Sequence, residues 1–214
     1  MKVDFHIHTK YSGDSITPLA TLKKIFDRKK LYPVITDHNT IKGALLFKKQ
    51  FGSCIVGEEV NTGEGEVIGF YLNEEIKKGL GMHETIDRIR QQDGIVYLPH
   101  PFDKIRKPLK MLDVKADIVE VYNSRTIFNR YNAMAERFAE KHGFLKAVGS
   151  DAHIARQIGR CYAELEDFSS KKELLNNLKN ATFVKKRTPI YELAVTEFVV
   201  GYKRLRLVSS GCQL

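Results

Sequence analysis

Short β-branched runs in this chain end, one after another, in a histidine or a carboxylate. "KVDFHIH" closes on His6 and His8, "PVITDH" on Asp37 and His38, "CIVGEE" on Glu58 and Glu59, "GIVYLPHP" on His100, and "LKAVGSDAH" on Asp151 and His153. "EVIGFYL" and "DIVEVYN" have the same strand composition. Longer amphipathic stretches lie between them, at residues 19–30, 41–51, 83–92, 129–141 and 171–180. A last helix is expected over 190–206, opened by Thr188 and Pro189. This alternation is the sequence sign of β/α units around a mostly parallel sheet. In a β/α barrel the carboxyl ends of the strands converge on one rim, so residues far apart in sequence can meet there in one pocket.

The first run sharpens the point. In an extended strand alternate side chains share a face, which sets Val3, Phe5 and Ile7 on one side and Asp4, His6 and His8 on the other. One such pair of imidazoles proves little. Four histidine-bearing clusters and a glutamate at the same end of successive strands point to a metal site. The three cysteines, Cys54, Cys161 and Cys212, show no CxxC spacing, so any ion is held by His, Asp and Glu, a donor set suited to Zn, Mn or Fe. The 214 residues read as one domain, with no charged-then-apolar leader and no membrane-length apolar run, and the expected location is the cytoplasm. The formal charge of +9 is concentrated late: Lys171 to Arg206 holds nine basic residues against Glu173, Glu192 and Glu197. Such a cluster is ordinarily a solvated face, and more rarely a surface for an anionic partner.

The motifs "DFHIHTKYSGDS", "ITDHNT", "VGEEVNT", "YLPHPFD", "VEVYNSR" and "AVGSDAH", in that order over residues 4–153, resemble those of the PHP family, named for polymerase and histidinol phosphatase. The resemblance implies a distorted, TIM-like (β/α)7 barrel whose C-terminal rim holds two or three divalent metals and hydrolyses phosphate esters, with a strand and helix region over 160–206. By motif, His6, His8, Glu59 and Asp151 would bind one ion, Glu59 and His100 a second, and Asp14, His38 and His153 a third, with Glu59 bridging. Many relatives carry a histidine at the start of the strand after the bridging glutamate. Here that place holds Glu66, which is expected to be a ligand, while the competing His83 looks like a helix-start residue. His142 reads as a helix C-terminal residue and Glu58 as structural.

Clustered cations could share a hydroxide, lower its pKa and stabilise the attacking and leaving oxygens during displacement at phosphorus. The phosphoryl oxygens need further donors, for which Arg125 and Arg156 are expected, with Asn123 holding substrate or water and Arg160 a weaker candidate. The leading reading is a phosphomonoesterase acting on a nucleotide or small metabolite. A nuclease working on nucleic-acid ends is the alternative, supported only by "KKR" at 185–187 and "KRLR" at 203–206. A non-catalytic metal-binding subunit comes third. No membrane partner is expected, and the oligomeric state is left open.

Overall fold

The computed structural model describes residues 1–106, 108–110 and 113–209, with side chains as far as Lys203. Cys212 and the side chains of Arg204 and Arg206 lie outside the described set.

In chain order the elements are β1 (Lys2–Val3), α1 (Leu19–Lys29), β2 (Leu31–Tyr32), β3 (Val34–His38), α2 (Lys42–Phe51), β4 (Ile55–Thr62), β5 (Gly65–Phe70) and α3 (Met82–Gln91). They continue with β6 (Ile95–Leu98), β7 (Ile118–Asn123), α4 (Asn129–His142), β8 (Leu145–Gly149), β9 (Cys161–Glu164), α5 (Lys171–Leu178), β10 (Thr182–Lys185) and α6 (Ile190–Ser209). Two sheets result, one of six strands in the order β3-β4-β5-β6-β7-β8 and one of four in the order β10-β9-β1-β2. Residues 5–8 are hydrogen-bonded to both edges of the larger sheet, Thr36 N–H to Ile7 O at 2.9 Å and Phe5 N–H to Val148 O at 3.4 Å. The larger sheet is therefore curled, with its two edge strands drawn towards one segment.

The chain is α/β, as its alternating pattern implies, but strict β/α repetition fails at several joins, most plainly between β4 and β5. β5 runs antiparallel to both β4 and β6, and only a tight turn at Gly63 and Glu64 joins it to β4. No helix intervenes there, because two glycines around Glu64 favour a hairpin over a crossover. A second departure lies in the first run. Regular pairing stops at Val3, and the buried Asp4 carboxylate accepts the His6 N–H at 3.4 Å, a side-chain-to-backbone bond that competes with strand geometry. Val3 and Phe5 consequently pack with Ile55, Phe70 and Tyr97, whereas Ile7 packs with Leu22, Ile35 and Phe47. The expectation that all three share a face is thus corrected.

These two clusters are the inner and outer cores of the sheet. Along β4, Ile55 belongs to the inner one and Val56 and Val60 to the outer; along β7, Ile118 is inner and Val119 and Val121 outer. Period-two alternation carries each inner row upward from apolar to charged, from Ile55 to Glu59, from Ile68 to Glu66 and from Ile118 to Glu120. A floor of Phe5, Phe70, Tyr97 and Ile118 thus lies beneath a layer of buried carboxylates.

Candidate metal centre

Glu59 is the hub of that layer. Its Oε2 lies 3.0 Å from His6 Nε2, 3.2 Å from His8 Nε2 and 3.3 Å from His38 Nδ1, and its Oε1 lies 3.2 Å from His100 Nε2. Asp151 Oδ1 is 3.4 Å from His8 Nε2 and 3.7 Å from His6 Nε2. Asp14, on the loop before α1, places Oδ2 3.1 Å from His38 Nε2 and 3.0 Å from His153 Nε2. Glu66 Oε2 stands 3.7 Å from His100 Nε2. All nine candidate ligands therefore come together, in overlapping groups: His8, Asp14, His38 and His153; His6, His100 and Asp151; His6, His8 and Glu59; His38, Glu59 and Glu66.

Glu58 points the other way, as its place in the strand requires. It accepts the Ile76 N–H at 2.9 Å, and burial pushes its carboxyl up to about 7. His83 is exposed in the first turn of α3 and His142 is exposed at the end of α4.

Several supports of these ligands carry no signal in the motifs. Glu120 Oε1 lies 3.2 Å from His6 Nδ1 and accepts the Tyr97 hydroxyl at 3.0 Å, while its Oε2 accepts the His100 N–H at 2.7 Å. Asp37 accepts Thr9 N–H at 2.6 Å and Thr9 Oγ1 at 2.7 Å, fixing the chain just after His8. Gly149 leaves room for Glu120: a Cβ there would collide with Glu120 Oε1 and the His6 side chain. His100 and Asp151 hold φ of 28° and 51°, left-handed values uncommon for such residues and found where surrounding structure enforces them. A charged residue in register with apolar inner positions, as Glu120 is in "DIVEVYN", is the signal that would have found it.

The electrostatics and the hydrogen-bond inventory both fit cations. Burial opposes charge on His38, but Glu59 and Asp14 beside it lift its pKa to about 10. Burial likewise opposes ionisation of Glu59, yet His6 and His38 hold its carboxyl well below the usual range. His153 is the exception, since burial and the adjacent Arg125 hold it down to about 3, leaving the neutral ring that metal binding needs. His8 Nε2 and His38 Nδ1 approach Glu59 closely but make no hydrogen bond to it, and with His100 Nδ1 they are buried without a partner. Buried polar atoms are ordinarily satisfied, so the orphaned nitrogens of His8 and His38, each beside Glu59, mark places for divalent ions.

A cavity of about 1220 Å3 opens above this layer. Arg125 lines it, with its guanidinium 3.6 Å from Asp151 Oδ1 and against the His153 ring. Arg106, on the loop after β6, also lines it and pairs with Asp151. Sequence reasoning passed over Arg106, because a single arginine in a loop carries no motif. Two expected substrate contacts lie elsewhere. Asn123 is buried beneath the cavity, its Nδ2 donating to Glu120 Oε2 at 2.9 Å and Asp151 Oδ2 at 3.1 Å, so it braces two carboxylates. Arg156 is exposed and faces another hollow, of about 370 Å3, with Thr21, Lys24 and Arg28 of α1, because Ile154 and Gln157 take the inward positions of its turn. Arg160 pairs with Glu192 of α6 at 2.5 Å.

Comparison with known proteins bears on the family and the fold. A family model described as PHP-associated matches residues 129–183. The chain is 39% identical over 198 residues to an uncharacterized protein of Methanocaldococcus jannaschii, covering 85% of this chain and 81% of the other. Among solved structures it is similar to a two-domain protein of Bacteroides vulgatus containing a predicted PHP-like metal-dependent phosphoesterase, with TM-score 0.67 and 15% identity over 87% of this chain. It spans 65% of that protein. It is also similar to the lesion-specific endonuclease of Pyrococcus furiosus, with TM-score 0.62 and 18% identity, covering 84% of this chain and 56% of the other. With the converging histidines and carboxylates and the matched C-terminal region all in one fold, the chain belongs to the PHP family.

Proposed function

We propose that this protein is a metal-dependent hydrolase of phosphate esters, acting on a small phosphomonoester such as a nucleotide or phosphorylated metabolite. The observation that carries the reading is the convergence of five imidazoles and four carboxylates beneath a cavity that two arginines line. We assign His6, His8, Glu59 and Asp151 to one ion, Glu59, His100 and Glu66 to a second, and Asp14, His38 and His153 to a third, with Zn, Mn or Fe suited to the donors. With residues 5–8 counted as a further stave, the sheet is read as the distorted barrel of the family, and the whole chain as one domain. The free, buried thiols of Cys54 and Cys161 suit the reducing cytoplasm in which we place it. Among the described residues no helix is long and apolar enough to cross a membrane.

Bound divalent ions would make water a stronger nucleophile near neutral pH and offset negative charge on the phosphoryl oxygens. The chain's own residues supply the rest. Arg125 and Arg106 present guanidinium donors to a phosphoryl group, a planar geometry suited to paired oxygens. Glu120, an acceptor only when ionised, holds the proton of His6 on Nδ1 and leaves Nε2 facing Glu59. Ile105, Ile127 and Leu193 form an apolar wall for the body of the substrate.

The nuclease reading is favoured by one observation, the likeness to the Pyrococcus endonuclease. The basic segment at 185–187 lends it less, since Lys185 pairs with Glu136 and Arg187 donates to Ile127 O, and none of the three lines the cavity. Hydrolysis of phosphomonoesters, phosphodiesters and single-stranded oligonucleotides by Mn-reconstituted protein separates the readings. Monoester turnover is expected; cleavage of oligonucleotides alone would replace the monoesterase by a nuclease, and no hydrolysis of any class would remove both.

A further inference from the structure

The loop "KYSGDS", residues 10–15, carries Asp14, the only carboxylate in the group formed with His8, His38 and His153. Its tip has little internal support. Gly13 has nothing within 4 Å of where a Cβ would sit, and Asp14 Oδ1 is held by the Ser12 hydroxyl of the same loop at 2.7 Å. Ser15 Oγ bonds to His8 O at 3.1 Å and His153 O at 2.9 Å, and Ser12 Oγ accepts the His38 N–H at 3.3 Å, which ties down the base of the loop and one side of it. Its backbone carbonyls are gathered from the far end of the chain. Lys203, on α6, donates from one ammonium to three carbonyls of this loop, Lys10 O at 2.9 Å, Ser12 O at 2.5 Å and Ser15 O at 2.8 Å. A lysine has three N–H donors, and here all three close on one loop, bracketing Asp14 on both sides.

Carbonyl dipoles that converge on one point repel one another, and the ammonium between them offsets that repulsion. Lys203 is partly buried and makes no carboxylate ion pair among the described residues, so it is more than a solvated surface charge. α6 is itself fixed near this site. Gln157 accepts the His153 N–H at 2.9 Å and donates to Thr196 Oγ1 at 2.9 Å, and Val200 is buried.

We propose that Lys203 is a positioning residue for Asp14: its ammonium sets the curvature of residues 10–15 so that Asp14 Oδ2 meets His38 and His153, and so fixes the affinity of the third ion. The inference rests on the metal-site assignment above. The carboxylate is the sole anionic donor of its group, so a small displacement of the loop changes that ion's affinity and leaves the groups around Glu59 intact.

The test is titration of the metal-free full chain with Mn2+, reading stoichiometry and the affinity of each ion in wild type, Lys203→Met, Asp14→Asn and the double variant. Val200→Ala, which thins the buried face of the same helix and leaves the Lys203 ammonium in place, is the control. Lys203→Met is expected to weaken only the third ion, by about 10- to 100-fold, as removal of a ligand's support does. The double variant should add little to Asp14→Asn, because both act on one carboxylate. Lys203→Arg, which keeps cationic donors, should restore part of the affinity. Three ions of unchanged affinity in Lys203→Met would overturn the inference and leave the metal assignment standing. So would equal weakening of every ion, or matching losses in Val200→Ala, either of which would reduce Lys203 to general packing. A wild-type chain taking up two ions or fewer would instead overturn the third-site assignment and the inference with it.

Discussion

Glu120 Oε1 sits 3.2 Å from His6 Nδ1, on the side of the ring opposite Glu59. An ionised carboxylate can only accept, so this contact fixes the proton on Nδ1 and aims the Nε2 lone pair at the cluster. Burial raises the pKa of Glu120, but His6 beside it more than offsets this and keeps the carboxyl below its usual range. Glu120→Gln offers an amide in place of the acceptor and weakens the hold on the tautomer. Ion affinity, read by titration, should fall about 10- to 100-fold with the fold retained; unchanged affinity would show that His6 orients itself.

Neighbouring glutamates separate ligand from support. Glu59→Gln removes the charge that four imidazoles surround, and kcat for the best phosphomonoester should drop at least about 100-fold, with ions lost. Glu58→Gln keeps the size of a group that only anchors the Ile76 N–H, so kcat should change by less than about 5-fold. Comparable losses in both variants would contradict the strand register that sends the two side chains to opposite faces.

The arginines give a contrast of the same kind. Removing a donor to developing phosphoryl charge costs on the order of 100-fold, so Arg125→Met and Arg106→Met should each lower kcat/KM substantially. Arg156→Met, outside the cavity, should leave kcat/KM within about 2-fold of wild type. Steady-state kinetics on one monoester decides it. A large effect at Arg156 would mean that substrate reaches well beyond the cavity described.

Thiol chemistry probes the core. Burial pushes the Cys54 thiol up to about 12 and raises that of Cys161 as well. A raised thiol pKa means less thiolate at any given pH, and thiolate is the reacting species. At pH 8, in a Cys212→Ser background, alkylation by iodoacetamide should run at least about 1000-fold slower than for an ordinary thiol, and recover in denaturant. Rapid labelling of the native protein would show that the sheet opens around these positions.

What could be read from the sequence followed the strength of the local pattern. α1 to α4 fall within a residue or so of their amphipathic stretches, because burying one face of a long helix sets its limits. Strand β2 was not anticipated, and β9 and β10 were expected only as part of a strand and helix region over 160–206: so short a run has no measurable period, and partners distant in sequence stabilise it. The ligand-bearing residues were visible because histidines and acids recur at strand ends. Asn123 and Arg156 show the limit of that reasoning. Proximity to a motif does not say which way a side chain turns, and that is decided by neighbours such as Asp151 and Gln157.

Strand β1 lies inside its sheet, flanked by β2 and by β9. His6 and His8 follow directly on β1, whereas the β9 residues that pair with β1 come far later in the sequence. Pairing across so many intervening residues is slow, since the entropy of closing long loops precedes any reward from contact. Until that pairing forms, His6 and His8 lack the enclosure that orders them as donors. Any selection among metals would then fall to the closed fold, which imposes one geometry on donors that had none before.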